Sequence, residues 1–163
     1  MNSSRISDLA RDVLELAKDR GALIATAESC TGGMVGAAIT AVPGSSSVYE
    51  RGFVTYSNAA KQQMLGVTGA ALETHGAVSE AVAAEMAAGA LANSAAQIAV
   101  SITGIAGPGG SDHKPEGRVC FGLAIEGRDA MAETVDFGAL GREHVRDAAT
   151  RHALQMVTSA LKG

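Results

Sequence analysis

The sequence predicts an α/β fold, a three-layer α/β/α sandwich around a mixed, mainly parallel sheet. Helix and strand patterns alternate from the N-terminus, as in parallel sheets that are covered by helices on both faces. Two strand patterns near the C-terminus, over 118–126 and 131–137, are joined by the tight turn Gly127-Arg128-Asp129, which predicts an antiparallel hairpin. We expect residues 1–163 to form a single domain.

Periodicity, caps and turn residues set the predicted boundaries of the elements. In chain order we predict a helix from residue 6 that Gly21 can end, a strand over 22–27, helices over 34–42 and 59–65, with a strand over 48–57 between them, a helix over 79–92, a strand over 97–103, the hairpin strands, and a helix over 142–161. Ser57 or Asn58 can cap the helix over 59–65, and Ser79 can cap the helix over 79–92. One side of the last helix is predicted to carry Val145, Ala149, His152, Met156 and Ala160.

Composition and charge argue against several classes of function. The net charge of −4 does not suit a general nucleic-acid-binding protein, and a 3% aromatic content leaves few rings for base stacking. The N-terminus shows no basic segment followed by an apolar core, and no apolar run is long enough to span a bilayer, so we expect a cytoplasmic protein without membrane contact. Cys30 and Cys120 are too few for a disulfide scaffold or a zinc site, and we predict no metal.

The stretch Glu28-Ser29-Cys30-Thr31-Gly32-Gly33 is the first candidate for a functional site. It lies where the strand over 22–27 turns into the helix over 34–42, so Ser29 or Cys30 and several free backbone N–H groups would face one crevice. Such a turn can bind an anion, or it can hold a nucleophile beside an oxyanion site. Cys30 remains a candidate nucleophile because a helix N-terminus lowers a thiol pKa. Glu28 would orient the turn or cap it.

The glycine-rich loop over 104–117 is the second candidate, because it also follows the carboxyl end of a strand. Ligands of open α/β sheets bind at that edge, so we predict that both stretches line one pocket, although the loop could also be only a turn. The loop does not fit the nucleotide-binding pattern G-x-x-x-x-G-K-[ST], because Gly110 occupies the lysine position after Gly104 and Gly109.

Lys61 and Tyr56 are the residues best placed to activate a serine. Ser29 lies in neither a G-x-S-x-G nor an S-x-x-K pattern, and none of the four histidines has an evident acidic partner in sequence. Lys61 falls in the first turn of a short helix, where the dipole disfavours a cation and helps to lower the pKa of a partly buried amine. Tyr56 ends the preceding strand. The alternative is a solvated lysine and a half-buried tyrosine.

Arg142 and Arg146 lie four residues apart near the start of the last helix. They repel each other and the positive end of the helix dipole, and a bound anion would relieve this strain. Pairing with Glu143, Asp147 or another surface acid would relieve it equally well.

Four motifs together resemble those of a known family: Glu28 to Gly33, Arg51 to Asn58 with Lys61, Gly76-Ala77-Val78-Ser79, and Thr103 to Gly110. The chain resembles the CinA C-terminal domain family of nicotinamide-nucleotide amidohydrolases over nearly its whole length. The resemblance implies an α/β/α fold and a small-molecule substrate, nicotinamide mononucleotide. The implied reaction converts its carboxamide to nicotinate mononucleotide and ammonia without a metal or cofactor, in pyridine nucleotide recycling.

Carried over residue by residue, the resemblance makes Ser29 the nucleophile and Tyr56 and Lys61 the residues that activate it. The residues that match the surroundings of the substrate are Thr31, Gly32, Gly33, Thr103, Gly104, Ala106 and Gly107. We further predict that the ribosyl phosphate lies against the amides of 104–110 and Arg142. Lys114-Pro115 and Gly117 fit the family pattern, whereas Glu116 and Arg118 are more polar than the family usually shows.

Two other functions fit the same residues: a non-catalytic nucleotide-binding or competence-related module, and a serine hydrolase of another small amide. Some family members carry an additional N-terminal domain, and we expect the activity that depends on it to be absent here. The alanine-rich face of the helix over 79–92 suits an interface as well as a core, and we expect a homo-oligomer, a dimer or higher.

Overall fold

The computed structural model describes residues 5–163 as a five-stranded sheet between two layers of helices. The elements are α1 (Ile6–Arg20), β1 (Ile24–Glu28), α2 (Met34–Thr40), a 3₁₀ turn (Ser45–Ser47), β2 (Tyr49–Val54), α3 (Asn58–Leu65), α4 (Gly69–His75), α5 (Glu80–Ala92), β3 (Ile98–Gly104), β4 (Arg118–Ile125), β5 (Met131–Asp136) and α6 (Arg142–Lys162). The predicted α/β class is confirmed.

The strand order is β2-β1-β3-β4-β5. The central strand β1 pairs in parallel with β2 and β3, and β4 pairs antiparallel with β3 and β5. Within the described sheet β4 therefore runs against the other strands, and the sheet is mixed and mainly parallel, as predicted. The carboxyl ends of β1, β2 and β3 meet at one edge, and the segments that follow them build the site.

Each face of the sheet has its own core. Helices α1, α2 and α6 pack with the larger cluster, which includes Phe121 and Ile102, and helices α3, α4 and α5 pack with the smaller one. The alanine-rich face of α5 lies against the sheet, where Ala83 and Ala87 are fully buried. This face is therefore core and no longer supports an interface, and the homo-oligomer stays a prediction.

The structure departs from the predicted elements at two helices. The short helix α4 was not predicted, because it begins with a glycine and buries only Ala71 among its residues. In α6 the buried side carries Val145, Ala149, Ala153, Val157 and Leu161 among others, whereas His152, Met156 and Ala160 lie at its border. The predicted stripe was wrong beyond Ala149, because α6 packs on both the sheet and α1 and so buries a wider face.

No helix within residues 5–163 combines the length and the apolar character that crossing a membrane would require.

Candidate active site

Ser29 sits in a tight turn between β1 and α2. Its N–H donates to Ile102 O of β3 at 3.0 Å, and its carbonyl accepts from Gly32 N–H at 3.0 Å. Gly33 then takes φ 106° before α2, in the left-handed region that favours glycine. The turn leaves Ser29 8% exposed, so its hydroxyl is nearly enclosed yet reachable from one side.

Glu28 holds this turn from below. Its buried carboxylate accepts from Thr31 Oγ1 at 2.6 Å and from the N–H groups of Val35 and Gly36 at 3.0 Å each. Glu28 thus both orients the turn and caps α2. The prediction of free N–H groups at the helix start is wrong for Val35 and Gly36, because Glu28 already occupies them.

Lys61 reaches the same turn from α3, which Ser57 caps. Its Nζ lies 3.1 Å from Ser29 Oγ and 3.0 Å from Thr55 O, and the residue is 2% exposed. Burial lowers the pKa of the Lys61 amine, because the charged form loses its water. The alternative of a solvated lysine is therefore wrong.

Cys30 is buried next to Ser29, and burial raises the pKa of its thiol to about 11. Its own backbone N–H and the charge of Arg146 oppose this shift but do not cancel it. The thiol therefore stays protonated near neutral pH. The expectation of a lowered thiol pKa at a helix start is wrong, because loss of water outweighs the dipole here.

A cavity of about 330 Å³ opens on Ser29 and Lys61. Its other lining residues are Cys30, Tyr56, Asn58, Ala77, Val78, the run from Thr103 to Asp112, Lys114 and Arg142. Of the predicted site residues, the structure brings Ser29, Lys61, Tyr56, Thr103, Gly104, Ala106, Gly107 and Arg142 together at this cavity. The two predicted loops line one pocket, as the strand order requires. Within residues 5–163, no three His, Cys, Asp or Glu side chains are grouped so that they could hold a metal ion.

Thr31, Gly32 and Gly33 do not line this cavity. Thr31 is fully buried and bonded to Glu28, and Gly32 N–H is used within the turn. On the side of α6, Arg146 donates to Cys30 O at 3.0 Å and to Thr31 O at 3.3 Å, so these two carbonyl groups point toward that helix.

Arg142 and Tyr56 form the mouth of the cavity. Tyr56 is 62% exposed rather than half-buried, and its hydroxyl lies 2.8 Å from Arg142 Nη2, which donates to it. Arg142 Nη1 donates to Gly107 O at 2.7 Å. Neither Arg142 nor Arg146 pairs with Glu143 or Asp147 in the described chain, so the alternative of local ion pairs is wrong.

Comparison with known proteins identifies the family. The family model described as "CinA C-terminal domain" matches residues 6–161. The chain belongs to the CinA C-terminal domain family. It is 51% identical over 156 residues to "Nicotinamide-nucleotide amidohydrolase PncC" of Escherichia coli strain K12, covering 95% of this chain and 94% of that protein.

Two further relatives are a longer protein and a protein of known crystal structure. A "CinA-like protein" of Chlorobium phaeobacteroides is 51% identical over 162 residues, which cover 96% of this chain but 39% of that protein. The crystal structure of the "competence/damage inducible protein CihA" of Agrobacterium tumefaciens superposes with a TM-score of 0.93 at 44% identity, covering 100% of this chain and 99% of that one.

Several cavity residues were not predicted as site residues: Asn58, Ala77, Val78, Ser111, Asp112 and Lys114. Three of the stretches that match the family contained a signal for them. Asn58 ends the motif Arg51 to Asn58. Gly76-Ala77-Val78-Ser79 was part of the resemblance, and its segment contacts β3 through Thr103 Oγ1, which donates to Ala77 O at 2.9 Å. Lys114 belongs to the matching Lys114-Pro115 pair.

Proposed function

We propose that this chain is a nicotinamide-nucleotide amidohydrolase, which hydrolyses the carboxamide of nicotinamide mononucleotide to nicotinate mononucleotide and ammonia. The observation that carries the proposal is the contact of 3.1 Å between Ser29 Oγ and the buried Lys61 Nζ at the cavity. The E. coli relative that is named for this activity supports the choice of substrate.

Ser29 is the nucleophile and Lys61 its base. A neutral Lys61 amine donates one N–H to Thr55 O, 3.0 Å away, and directs its lone pair toward the Ser29 hydroxyl. Lys61 takes the hydroxyl proton while Ser29 Oγ bonds to the carboxamide carbon and the carbonyl electron pair moves to oxygen. The C–N bond then breaks, and the Lys61 ammonium returns the proton to the departing ammonia.

Water completes the cycle. The neutral Lys61 now takes a proton from water, which attacks the acyl carbon and releases the carboxylic acid as Ser29 regains a proton. The candidate donors to the oxyanion are the N–H groups of Cys30 and Ala106. Both residues line the cavity, and neither N–H bonds to another residue of the described chain. They replace the predicted Thr31 to Gly33 amides.

Tyr56 assists from the mouth of the cavity. Its hydroxyl oxygen accepts from Arg142, so its own O–H remains able to donate to the substrate. In the structure the Tyr56 hydroxyl bonds Arg142 rather than Ser29, whereas Lys61 Nζ contacts Ser29 Oγ. We therefore assign the role of proton acceptor to Lys61.

Ammonia release from nicotinamide mononucleotide tests this proposal. The purified protein should turn over the mononucleotide, and Ser29→Ala should lose at least about 10³-fold in kcat, as expected when a nucleophile is removed. Cys30→Ala is the matched control at the neighbouring position, and it should keep its rate within a few-fold.

Three results would contradict it. Full turnover by Ser29→Ala would show that Ser29 is not the nucleophile. Loss of activity in Cys30→Ala alone would assign the nucleophile to Cys30 instead. Tight binding of the mononucleotide without any product, measured by calorimetry, would instead indicate a non-catalytic nucleotide-binding module.

A further inference from the structure

Lys114 is a second lysine on the wall of the cavity, and the mechanism above does not use it. Its Nζ donates to His75 O at 2.7 Å and to Val78 O at 2.5 Å. An ammonium group has three N–H donors, so one remains for a ligand. Two carbonyl groups orient the amine, but they carry no net charge that could neutralise it.

The charge of Lys114 has no carboxylate partner. Within residues 5–163, no Asp or Glu oxygen lies within 4.0 Å of its Nζ, although Asp112 lines the same cavity. The amine is also part-buried where it bonds Val78 O. A part-buried cation gains more from an anion than an exposed one does, because less water screens the pair.

The backbone holds Lys114 in place. Ser111 N–H donates to Lys114 O at 3.0 Å, and Lys114 N–H donates to Ser111 O at 2.8 Å, which closes a tight turn. On its other side the side chain ties this turn to the segment before α5. Little freedom is therefore lost when Lys114 binds a ligand.

Only part of the loop over 104–110 has N–H groups that are free to bind a phosphate. The N–H of Ile105 donates to Arg118 O, the N–H of Gly109 donates to Glu116 Oε1 at 2.7 Å, and Pro108 has none. The prediction that the amides of 104–110 hold the phosphate is therefore wrong for these positions. A side-chain cation can supply the positive charge that uncharged amides lack.

We propose that Lys114 binds the phosphate group of the mononucleotide substrate and so selects a phosphorylated nucleoside over the free nucleoside. This inference rests on the proposed function, which places the carboxamide at Ser29 and leaves the phosphate as the anionic group of the substrate. Arg142 is the other cation at the cavity, but it lies at the exposed mouth, where water screens its charge more than that of the part-buried Lys114.

Binding to a Ser29→Ala protein tests this selection without turnover. Calorimetry would compare nicotinamide mononucleotide with nicotinamide riboside, which lacks the phosphate, before and after Lys114→Gln. Glutamine keeps N–H donors for His75 O and Val78 O but removes the charge. Affinity for the mononucleotide should fall by about 10- to 100-fold, as for loss of a charged hydrogen bond, and affinity for the riboside should stay within about threefold.

An exposed lysine gives the control: Lys18→Gln on α1 should change neither affinity. Equal losses for both ligands would show that Lys114 only supports the loop, and no loss for either would place the phosphate elsewhere, so both results overturn the inference. If either of these results is found while the wild-type protein turns over the mononucleotide, the inference about Lys114 is wrong but the proposed function stands. Absence of both binding and turnover would remove the function and the inference together.

Discussion

At the scale of single residues, the proposed chemistry depends on how Lys61 is buried. Its amine has two neighbours at hydrogen-bond distance, Ser29 Oγ and Thr55 O, and the residue is 2% exposed. A charged amine in this place would have to donate to both, which would oppose removal of the serine proton. A neutral amine can donate to one and accept from the other, so the protonation of Lys61 should control the rate.

We therefore predict that kcat/KM rises with pH as Lys61 loses its proton. Because burial lowers the Lys61 pKa from 10.5, the inflection should fall below that value, with low activity on its acid side. Lys61→Arg should lose at least about 10²-fold at every pH, since a guanidinium does not deprotonate in proteins. The measurement is the pH profile of ammonia release, and a flat profile or an inflection at the ordinary lysine pKa would contradict the role of Lys61.

The sequence could indicate Lys61 but not its environment. A helical pattern alone allowed a solvated side chain, because the burial of Lys61 depends on where the strand β2 ends and on the carbonyl of Thr55. The expectation that the Cys30 thiol has a lowered pKa was wrong for a related reason. The helix dipole can be read from sequence, whereas the loss of water that raises the thiol pKa needs the packed structure.

At the scale of elements, the turn between β1 and α2 is held from two sides. Glu28 binds the N–H groups at the start of α2, and Arg146 of α6 binds the carbonyls of Cys30 and Thr31. Because the N–H and C=O of one peptide point in opposite directions, these two residues together decide which groups of the turn face the cavity.

We predict that Glu28→Gln lowers the free energy of unfolding and lowers the rate of ammonia release. The glutamine NH₂ would face a buried N–H of Val35 or Gly36, which would lose its acceptor, at a cost of about 2 kcal/mol. Urea unfolding and ammonia release would measure the two effects. Glu15→Gln, an exposed position on α1 with the same change of charge, is the control and should shift neither. Equal midpoints for both variants would show that the cap contributes little.

The helices that could be predicted best are those whose ends carry a capping serine or a terminating glycine. Ser57 and Ser79 cap α3 and α5, and Gly21 and Gly66 end α1 and α3, as their residue types indicate. Helix α4 has a cap in Thr68, but it is only seven residues long and lacks an apolar stripe. Its formation depends on packing against α5, which the local sequence does not report.

At the scale of the whole molecule, the site depends on strand order. Because β1 lies between β2 and β3, the residues that follow all three strands meet: Ser29 after β1, Tyr56 after β2 and Ala106 after β3. This convergence could be predicted from alternating helices and strands. The contribution of α6 could be predicted only in part: Arg142 was expected at the substrate, but nothing in the sequence places it on Tyr56 or places Arg146 on the Ser29 turn.

The distance between the layers depends on small side chains. Ser101 Oγ of β3 donates to Ala83 O of α5 at 2.6 Å, and a side chain at Gly122 of β4 would collide with the same carbonyl. The α5 backbone therefore lies almost directly on the sheet. A larger residue in place of Ala83 or Ala87 would therefore push the two layers apart or distort the strands that end at the cavity.

We predict that Ala87→Leu lowers the free energy of unfolding by about 1–3 kcal/mol through overpacking. The neighbouring Ala88→Leu is the matched control: Ala88 is exposed, whereas Ala87 is fully buried, and leucine suits a helix at both positions. Urea midpoints should therefore differ between the variants, with Ala88→Leu within about 0.5 kcal/mol of the parent protein. If both variants unfold like the parent, α5 can move away from the sheet at little cost, and alanine is not needed there for close packing.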